Sequence, residues 1–275
     1  MQSKMIIYTL ALMGTIGLSF AQTLNIVAHQ DDDLLFMSPD LIREIISGRD
    51  VRTVFLTAGD AGLGPDYWLS RQAGALAAYR RMASAVDSWE ESDLGIDGYD
   101  IPLFYLTEMP QISLAFMHMP DGGLGGIGYE TTGFESLMRL WEEDIESIGT
   151  VDGSFTRYTK DGLLDVLTQI IEDFEPDRIN TLDYVNSIGD GDHPDHYTTG
   201  FFADHASQAA SGEFDFTGYM GYGINTLPVN LDDSDIEDKQ NIFYEYGAYD
   251  MGTCFDPVSC SGRPESGWLM RQYTV

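Results

Sequence analysis

The sequence predicts an α/β fold in which a mostly parallel sheet is flanked by helices. Short apolar runs alternate along the chain with longer segments whose apolar residues recur at helical spacing, the pattern of strands separated by crossover helices. Polar clusters follow directly after two of the apolar runs, as expected at the edge of such a sheet where ligands bind. No linker, repeat or low-complexity tract divides the chain, so we expect one large domain.

The first 21 residues have the organisation of a cleaved signal peptide. Lys4 is followed by an uncharged apolar stretch over residues 5–20, and the segment ends in the small-x-small sequence Ser19-Phe20-Ala21. A membrane anchor is the alternative, but the apolar stretch is shorter than the ~20 residues that cross a bilayer. We therefore expect a secreted protein whose mature domain spans residues 22–275.

The first half of the mature chain predicts two strand and helix pairs. Residues 24–28 form the first strand, and the helix after it is expected to use Ser38 as N-cap and Pro39 as its first residue. Residues 51–57 are rich in β-branched side chains and form the second strand. A loop of small residues over 58–64 then leads to a long helix over residues 67–86.

The second half repeats this alternation. Residues 101–107 and 113–117 are strand candidates, and residues 178–182 are another, followed by a polar loop. A helix is predicted before residues 178–182 and ends at Pro176. Its apolar face is formed by Leu163, Val166, Leu167, Ile170, Ile171 and Phe174.

The charge of the chain restricts its partners. Asp and Glu number 45 against 14 Lys and Arg, a formal net charge of −31. This field disfavours nucleic acid and anionic lipid headgroups. Neutral sugars, or a glycan that becomes cationic during a reaction, are compatible with it.

The two cysteines lie close together in a tail rich in Gly, Pro and Ser. Because an exported protein meets an oxidising compartment, we expect Cys254 and Cys260 to form a local disulfide.

Two histidine and aspartate motifs follow predicted strands. His29-Gln30-Asp31-Asp32-Asp33 comes after the first strand, and Asp192-His193-Pro194-Asp195-His196 comes after residues 178–182. Catalytic zinc sites use three protein ligands from His and carboxylate side chains and keep one position open. We predict His29, Asp32 and His196 as these ligands. Asp31 is then free to act as a base, and His193 faces the same cavity, where it can bind an oxyanion.

Each motif taken alone has a less specific explanation. An acidic triplet is usually a solvated turn, and a lone His-x-x-His pair is often a surface feature. Their joint occurrence at two strand ends favours a metal site. The glycine-rich residues 121–128 lack the context of a dinucleotide-binding loop, so we expect a flexible turn bordering the cleft. Ser70 and Ser187 have no base partner that would indicate a serine hydrolase.

The motifs resemble those of the LmbE-like family, which includes GlcNAc-phosphatidylinositol de-N-acetylases, mycothiol-pathway deacetylases and diacetylchitobiose deacetylases. The sequence from Ala28 to Asp33 is similar to the family's Ala-His-Pro-Asp-Asp-Glu, and His193-Pro194-Asp195-His196 matches its His-Pro-Asp-His. Leu56-Thr57-Ala58-Gly59-Asp60 and the segment around Arg71 also resemble the family, so the similarity spans at least residues 24–205. The chain departs from the family at four positions, Gln30 for Pro, Asp33 for Glu, and Gly74 and Ala75 where relatives often carry Glu.

The resemblance implies a Rossmann-like layered fold with its active site at the carboxyl ends of the strands, and a zinc-dependent amide hydrolysis. In that reaction Asp31 would accept the proton of the attacking water and return it to the leaving amine. Protonated His193 would stabilise the oxyanion, and Asp195 would orient one of the neighbouring imidazoles. Arg71 would contact the sugar, although it could instead pair structurally with Asp60 or Asp66.

We therefore expect an exported N-deacetylase that acts on N-acetylglucosamine or a related N-acetylhexosamine and releases acetate. A soluble or cell-wall glycan is the preferred substrate, because no stable membrane association is expected of so acidic a chain. The alternative is a non-catalytic glycan-binding protein that keeps the fold and the metal. Asp31 favours the enzyme, since metal binding alone does not require it. Tyr244, Tyr246 and Tyr249 either stack on sugars or pack in the protein.

Overall fold

A computed structural model describes residues 21–275 and contains a seven-stranded sheet. Its strands are β1 Gln22–Val27, β2 Asp50–Thr57, β3 Trp89–Asp93, β4 Pro102–Leu106, β5 Ile112–Met119, β8 Arg178–Leu182 and β9 Asp215–Tyr219, and a separate hairpin pairs β6 Ile148–Gly149 with β7 Arg157–Tyr158. The strand order is β3-β4-β5-β2-β1-β8-β9, in which β5, β2, β1, β8 and β9 are parallel and β3 and β4 are antiparallel. The predicted α/β class with a mostly parallel sheet is confirmed.

Helices cover both faces of the sheet. The helices are α1 Asp40–Ile46, α2 Pro65–Met82, α3 Leu137–Trp141, α4 Lys160–Phe174, α5 Pro194–Ala209, α6 Asp233–Gly247 and α7 Glu265–Trp268, with a π-helical turn at Asp33–Met37. One apolar core contains side chains of α1, α2 and α6, and a second contains those of α3, α4 and α5. The central strand β1 is buried between the two cores, which places the residues after it in the interior.

Helix α4 shows why the periodic segments were predictable. All six apolar residues of its predicted face are buried, while Thr159 caps the first turn by accepting a hydrogen bond from the amide of Gly162 at 3.0 Å. Glu175 ends the helix in the left-handed conformation, one residue before Pro176. The helix forms because burial of that face rewards the 3.6-residue spacing.

Element boundaries differ from the prediction in two helices. Ser38 does not cap α1, which begins at Asp40 with Pro39 in the capping position, and the Ser38 hydroxyl bonds instead to the carbonyl of Asp33. Helix α2 ends at Met82 rather than at residue 86, because Ser84 has a positive φ of 51° that an α-helix does not accommodate.

Helix α6, in the C-terminal segment that follows β9, packs against α2. Gly74 of α2 allows this contact, since a β-carbon there would lie 2.8 Å from the ring of Tyr246 in α6. Cys254 and Cys260 form the predicted disulfide in the loop that follows α6. The ammonium of Lys239 donates hydrogen bonds to the carbonyls of Trp268 and Arg271, at 3.1 and 2.6 Å, and so ties the end of the chain to α6.

Burial of Lys239 makes a pH-dependent contribution to stability. Burial lowers the pKa of its ammonium to about 7, against ~10.4 in an unfolded chain, so the unfolded state binds more protons between these values. Burial of Lys239 therefore costs no stability above pH ~10, where the amine is neutral in both states. The cost grows as the pH falls to about 7, because the unfolded chain binds the proton first. We expect the stability of the wild type relative to Lys239→Met to rise over this window, by up to ~1.4 kcal/mol per pH unit. Urea unfolding of both proteins measures the slope, and parallel curves would contradict the assignment.

No helix among residues 21–275 is long and apolar enough to cross a membrane. The predicted signal peptide lies almost entirely outside the described residues, so secretion remains a prediction.

Candidate metal centre and active site

Three loops meet at the carboxyl edge of the parallel strands. His29, Asp31 and Asp32 follow β1, Asp121 follows β5, and the second histidine motif begins α5 after β8. Because neighbouring parallel strands end at the same edge, motifs separated by more than 160 residues come into contact. The ring centroids of His29 lie 4.8 Å from His193 and 5.3 Å from His196.

The predicted metal ligands form one buried cluster. The Asp32 carboxylate lies between two imidazoles, with Oδ1 2.9 Å from Nε2 of His196 and Oδ2 3.3 Å from Nδ1 of His29. Among the described residues, two groups place one ligand atom each within 4.8 Å of the others, His29 with His193 and His196, and His29 with Asp121, His193 and Asp195. Neither group contains the predicted ligand Asp32. Zinc and similar divalent metals bind to three or four nitrogen and carboxylate-oxygen atoms of this kind.

The contacts of the two ring nitrogens of His196 are compatible with metal binding. Nδ1 of His196 lies 2.8 Å from Oδ1 of Asp192, which places a ring proton on that nitrogen, so Nε2 is the nitrogen that would give up its proton to bind a metal. Nε2 is buried and has no hydrogen-bond partner among residues 21–275, although Asp32 is near it. Nε2 of His196 and Oδ1 of Asp32 lie 2.9 Å apart, so one cation could bind both atoms in place of the proton that they otherwise share.

The charges around the cluster also favour a cation. Burial opposes the protonation of His196, but the carboxylates of Asp32 and Asp192 outweigh it and raise its pKa to about 10. Burial likewise opposes ionisation of Asp32, yet the imidazoles of His196 and His29 hold its pKa well below the usual range. Positive charge is stabilised here, and a metal cation would supply it.

Asp192 was not predicted as a site residue. Its Oδ1 accepts hydrogen bonds from the amides of His193 and Tyr222, at 2.8 and 3.0 Å, in addition to holding His196. Its position four residues before His196, at the start of a helix, was the available signal. A carboxylate in this role fixes the orientation and basicity of a metal-binding imidazole.

Asp192→Asn is expected to weaken divalent-metal binding, measured with zinc, by about 10- to 100-fold, because the amide keeps the shape but not the charge that supports His196. Competition against a chelating dye measures the affinity. Asp190→Asn, an exposed position in the same loop, is the matched control and should bind zinc as the wild type does. Equal affinities for the two variants would show that Asp192 does not support the ligand.

His193 lies in the cavity, where burial opposes the predicted protonated form. It is the N-cap of α5, and its Nδ1 accepts a hydrogen bond from the amide of Asp195 at 3.2 Å. This bond leaves the proton of the neutral ring on Nε2. Burial lowers the pKa of His193 to about 4, so the neutral ring is the form that can donate to an oxyanion.

Asp195 is fully buried and lies closer to His29 than to His193. Its Oδ2 accepts a hydrogen bond from the amide of Gly122 at 2.8 Å and lies 3.3 Å from Nε2 of His29, against 3.8 Å from Nδ1 of His193. A β-carbon at Gly122 would lie 2.6 Å from Oδ1 of Asp195, so glycine is required for this approach. The imidazole that Asp195 orients is therefore that of His29.

Asp121 was assigned only to a turn, yet it is buried in the site. Its carboxylate oxygens lie 3.9 Å from Nε2 of His29 and from Nε2 of His193, and its amide donates to Asp60 at 2.8 Å. His118 has a φ of 51°, and a β-bulge at this residue shifts the register of β5 just before the turn that contains Asp121. The position of Asp121 directly after a parallel strand was the signal that could have identified it.

Arg71 reaches the site but pairs with neither Asp60 nor Asp66. Its Nη2 donates to Oδ1 of Asp31 at 2.7 Å, and its Nε lies 3.0 Å from Oδ2 of Asp250. Burial raises the pKa of Asp31 to about 6, although Arg71 opposes this shift. At neutral pH Asp31 is therefore mostly ionised and is a competent proton acceptor.

The cavity beside these groups holds about 190 Å³. It is smaller than the ~300–1,000 Å³ typical for drug-sized ligands, so it suits a small unit such as one sugar ring. The aromatic wall is formed by Tyr222 and Trp268, whose rings stack 4.7 Å apart. The tyrosines considered from the sequence lie elsewhere: Tyr246 is buried against α2, Tyr244 is half-buried and Tyr249 is exposed.

Two departures from the family motif are accommodated without loss of a ligand. The Gln30 amide donates to the carbonyl of Thr57 at 2.8 Å, which joins the motif to β2. Asp33 lies behind the site, where Tyr79 donates to its Oδ2 at 2.5 Å, and burial raises its pKa to about 8. Asp33 is thus an internal support of the loop.

Comparison with known proteins identifies relatives of the chain. The family model described as PIG-L, GlcNAc-PI de-N-acetylase, matches residues 24–207. No curated protein matches the sequence of this chain.

Solved structures with similar folds share little sequence with the chain. N,N'-diacetylchitobiose deacetylase from Pyrococcus horikoshii is 15% identical, with a TM-score of 0.47 and coverage of 89% of this chain and 74% of that one. The zinc-inhibited form of teicoplanin deacetylase is 15% identical, with a TM-score of 0.46 and coverage of 83% and 84%. A conserved protein from Thermus thermophilus is 14% identical, with a TM-score of 0.46 and coverage of 90% and 84%. At these identities and scores their activities do not transfer to this chain.

Proposed function

Because the chain belongs to the PIG-L (GlcNAc-PI de-N-acetylase) family, we propose that it is a zinc-dependent N-deacetylase of N-acetylglucosamine or a related N-acetylhexosamine. The observation that carries the proposal is the position of Asp31. Its carboxylate lies beside the cluster of His29, Asp32 and His196, and its Oδ2 forms no hydrogen bond within residues 21–275. A free carboxylate oxygen facing a cavity next to metal ligands is what a general base requires.

The metal-binding role falls to His29, Asp32 and His196. A zinc ion bound there would polarise an amide carbonyl and lower the pKa of water towards ~7. Asp192 and Asp195 hold the rings of His196 and His29 in the orientation that presents the remaining nitrogen of each. These residues and their supports are contributed by separate parts of the chain.

Asp31 and His193 have the remaining roles in the reaction. Asp31 accepts a proton from the attacking water and returns it to the leaving amine. His193, whose Nδ1 is occupied by the amide of Asp195, donates its Nε2 proton as a hydrogen bond to the developing oxyanion. The products are acetate and an amino sugar.

The substrate is best assigned to soluble or cell-wall glycans. The small cavity accommodates one sugar unit, and the net charge of −31 repels anionic phosphatidylinositol surfaces. The cationic amino sugar that forms in the reaction is compatible with a cavity bordered by Asp31, Asp121 and Asp250. Export through the segment at residues 1–21 would bring the enzyme to such glycans.

The test is acetate release by the zinc-loaded protein lacking residues 1–21. The substrates are N-acetylglucosamine, chito-oligosaccharides of increasing length, and N-acetylglucosaminyl-phosphatidylinositol in vesicles. We expect acetate and an equal amount of free amine from the soluble sugars, and slower release from the vesicles. Stoichiometric zinc with no acetate from any substrate would favour the glycan-binding protein instead.

A further inference from the structure

The guanidinium of Arg71 connects Asp31 to two residues of the C-terminal segment. Its Nη2 donates to Asp31, and its Nε donates to the hydroxyl of Tyr246 at 2.8 Å. The Tyr246 hydroxyl in turn donates to Oδ2 of Asp250 at 2.6 Å. Tyr246 and Asp250 lie outside residues 24–207, the region that matches the family model.

The orientation of Arg71 is fixed at three of its nitrogens. Nη1 donates to the carbonyl of Gly59 at 2.7 Å, which holds the side of the guanidinium opposite Tyr246. A β-carbon at Gly59 would lie 2.2 Å from Nη1, so glycine is needed for this approach. Asp250 is fixed as well, because the amide of Gly252 donates to its Oδ1 at 2.7 Å. A planar, buried group held at three points cannot rotate without breaking several bonds.

The fixed guanidinium holds the Asp31 carboxylate through one of its two oxygens. Arg71 binds Oδ1 alone, and Oδ2 is left without a hydrogen bond among the described residues. Both side chains border the 190 Å³ cavity.

The packing of α2 on α6 builds this connection. Gly74 lies one helical turn after Arg71 and leaves the space that the Tyr246 ring occupies. Gly247 allows the carbonyl of Cys254 to approach α6, since a β-carbon there would lie 2.2 Å from that oxygen. The disulfide loop is thereby held against the helix end that carries Tyr246.

We infer that Tyr246 and Asp250 are positioning residues, which hold Arg71 so that Asp31 presents Oδ2 to the reacting water. The inference rests on the proposed function of Asp31 as general base. It also gives α6 and the turn that follows it a role in the reaction.

The first arm of the test compares Tyr246→Phe with Tyr244→Phe, a half-buried neighbour on α6 that has no part in the connection. Tyr246→Phe removes one hydroxyl and keeps the ring. We expect its kcat to fall about tenfold, while KM and zinc stoichiometry stay within about twofold of the wild type. Tyr244→Phe should leave all three unchanged. Asp250→Asn is the second variant and should lower kcat similarly.

The second arm places Tyr246→Phe in an Asp31→Asn background. If Tyr246 acts through Asp31, the double variant should be no slower than Asp31→Asn alone. A further loss of about tenfold in the double variant would show an independent effect and overturn the inference.

Crystal structures of Tyr246→Phe and the wild type provide a readout that does not depend on activity. We expect the Asp31 carboxylate to rotate or to occupy two orientations in the variant. An unmoved carboxylate would overturn the inference. Absence of acetate release by the wild type would instead refute the proposed function, and the crystallographic comparison would still decide whether Tyr246 positions Asp31.

Discussion

Asp31→Asn is expected to lower kcat for acetate release by about 10²- to 10⁴-fold, the range typical for loss of a general base. Asparagine keeps the size of the side chain and an oxygen that can accept from Arg71, but it cannot take a proton from water. Zinc stoichiometry should be unchanged, because Asp31 is not among the proposed ligands. Steady-state kinetics together with metal analysis of the same preparation measures both quantities.

Asp66→Asn is the control for this variant. Asp66 is an exposed carboxylate at the start of α2, and its replacement should leave kcat as it is in the wild type. If Asp31→Asn retained wild-type turnover with zinc bound, the base would have to be another residue, and the central role assigned to Asp31 would be wrong.

His196→Ala should remove both metal binding and activity. The imidazole lies beside Asp32 and is held by Asp192, so its loss takes away a ligand and also leaves two buried carboxylates facing each other. We expect zinc affinity to fall by more than the ~100-fold that follows from losing a supporting residue. Equilibrium dialysis measures the affinity, and acetate release measures the activity.

His205→Ala is matched to His196→Ala because both histidines lie on α5 and His205 is exposed. It should bind one zinc and retain turnover. A His196→Ala protein that bound zinc as tightly as His205→Ala would exclude His196 from the metal site.

The sequence predicted the centre of the sheet and the position of the site. Strands β1, β2 and β8 are mostly buried, and α4 has a complete apolar face, so local pattern and tertiary burial agree in these elements. Strand β3 was missed because four of its five residues are exposed, which leaves no apolar pattern to detect. Helix α5 was read as part of a loop, because its Thr, Gly and Asp residues weaken the apolar periodicity.

The supporting residues of the site were harder to predict than its ligands. Asp192, Asp121 and Asp250 are three among 45 acidic residues. The spacing of Asp192 to His196 and the position of Asp121 after a strand were the signals for these two, but nothing in the local sequence shows that Asp250 is buried. Their roles depend on contacts between segments far apart in the chain, such as that of Asp250 with Arg71. The protonated state expected for His193 depends on the folded protein in a similar way, since burial lowers its pKa and favours the neutral ring.

The most direct test of a metal-dependent deacetylase is a zinc titration of the metal-free protein with acetate release as the readout. We expect no release before zinc is added, a linear rise, and saturation at one zinc per chain, with an equal amount of free amine formed at each point. Full activity in the metal-free protein, or one tightly bound zinc with no hydrolysis of any N-acetylated sugar, would contradict the account.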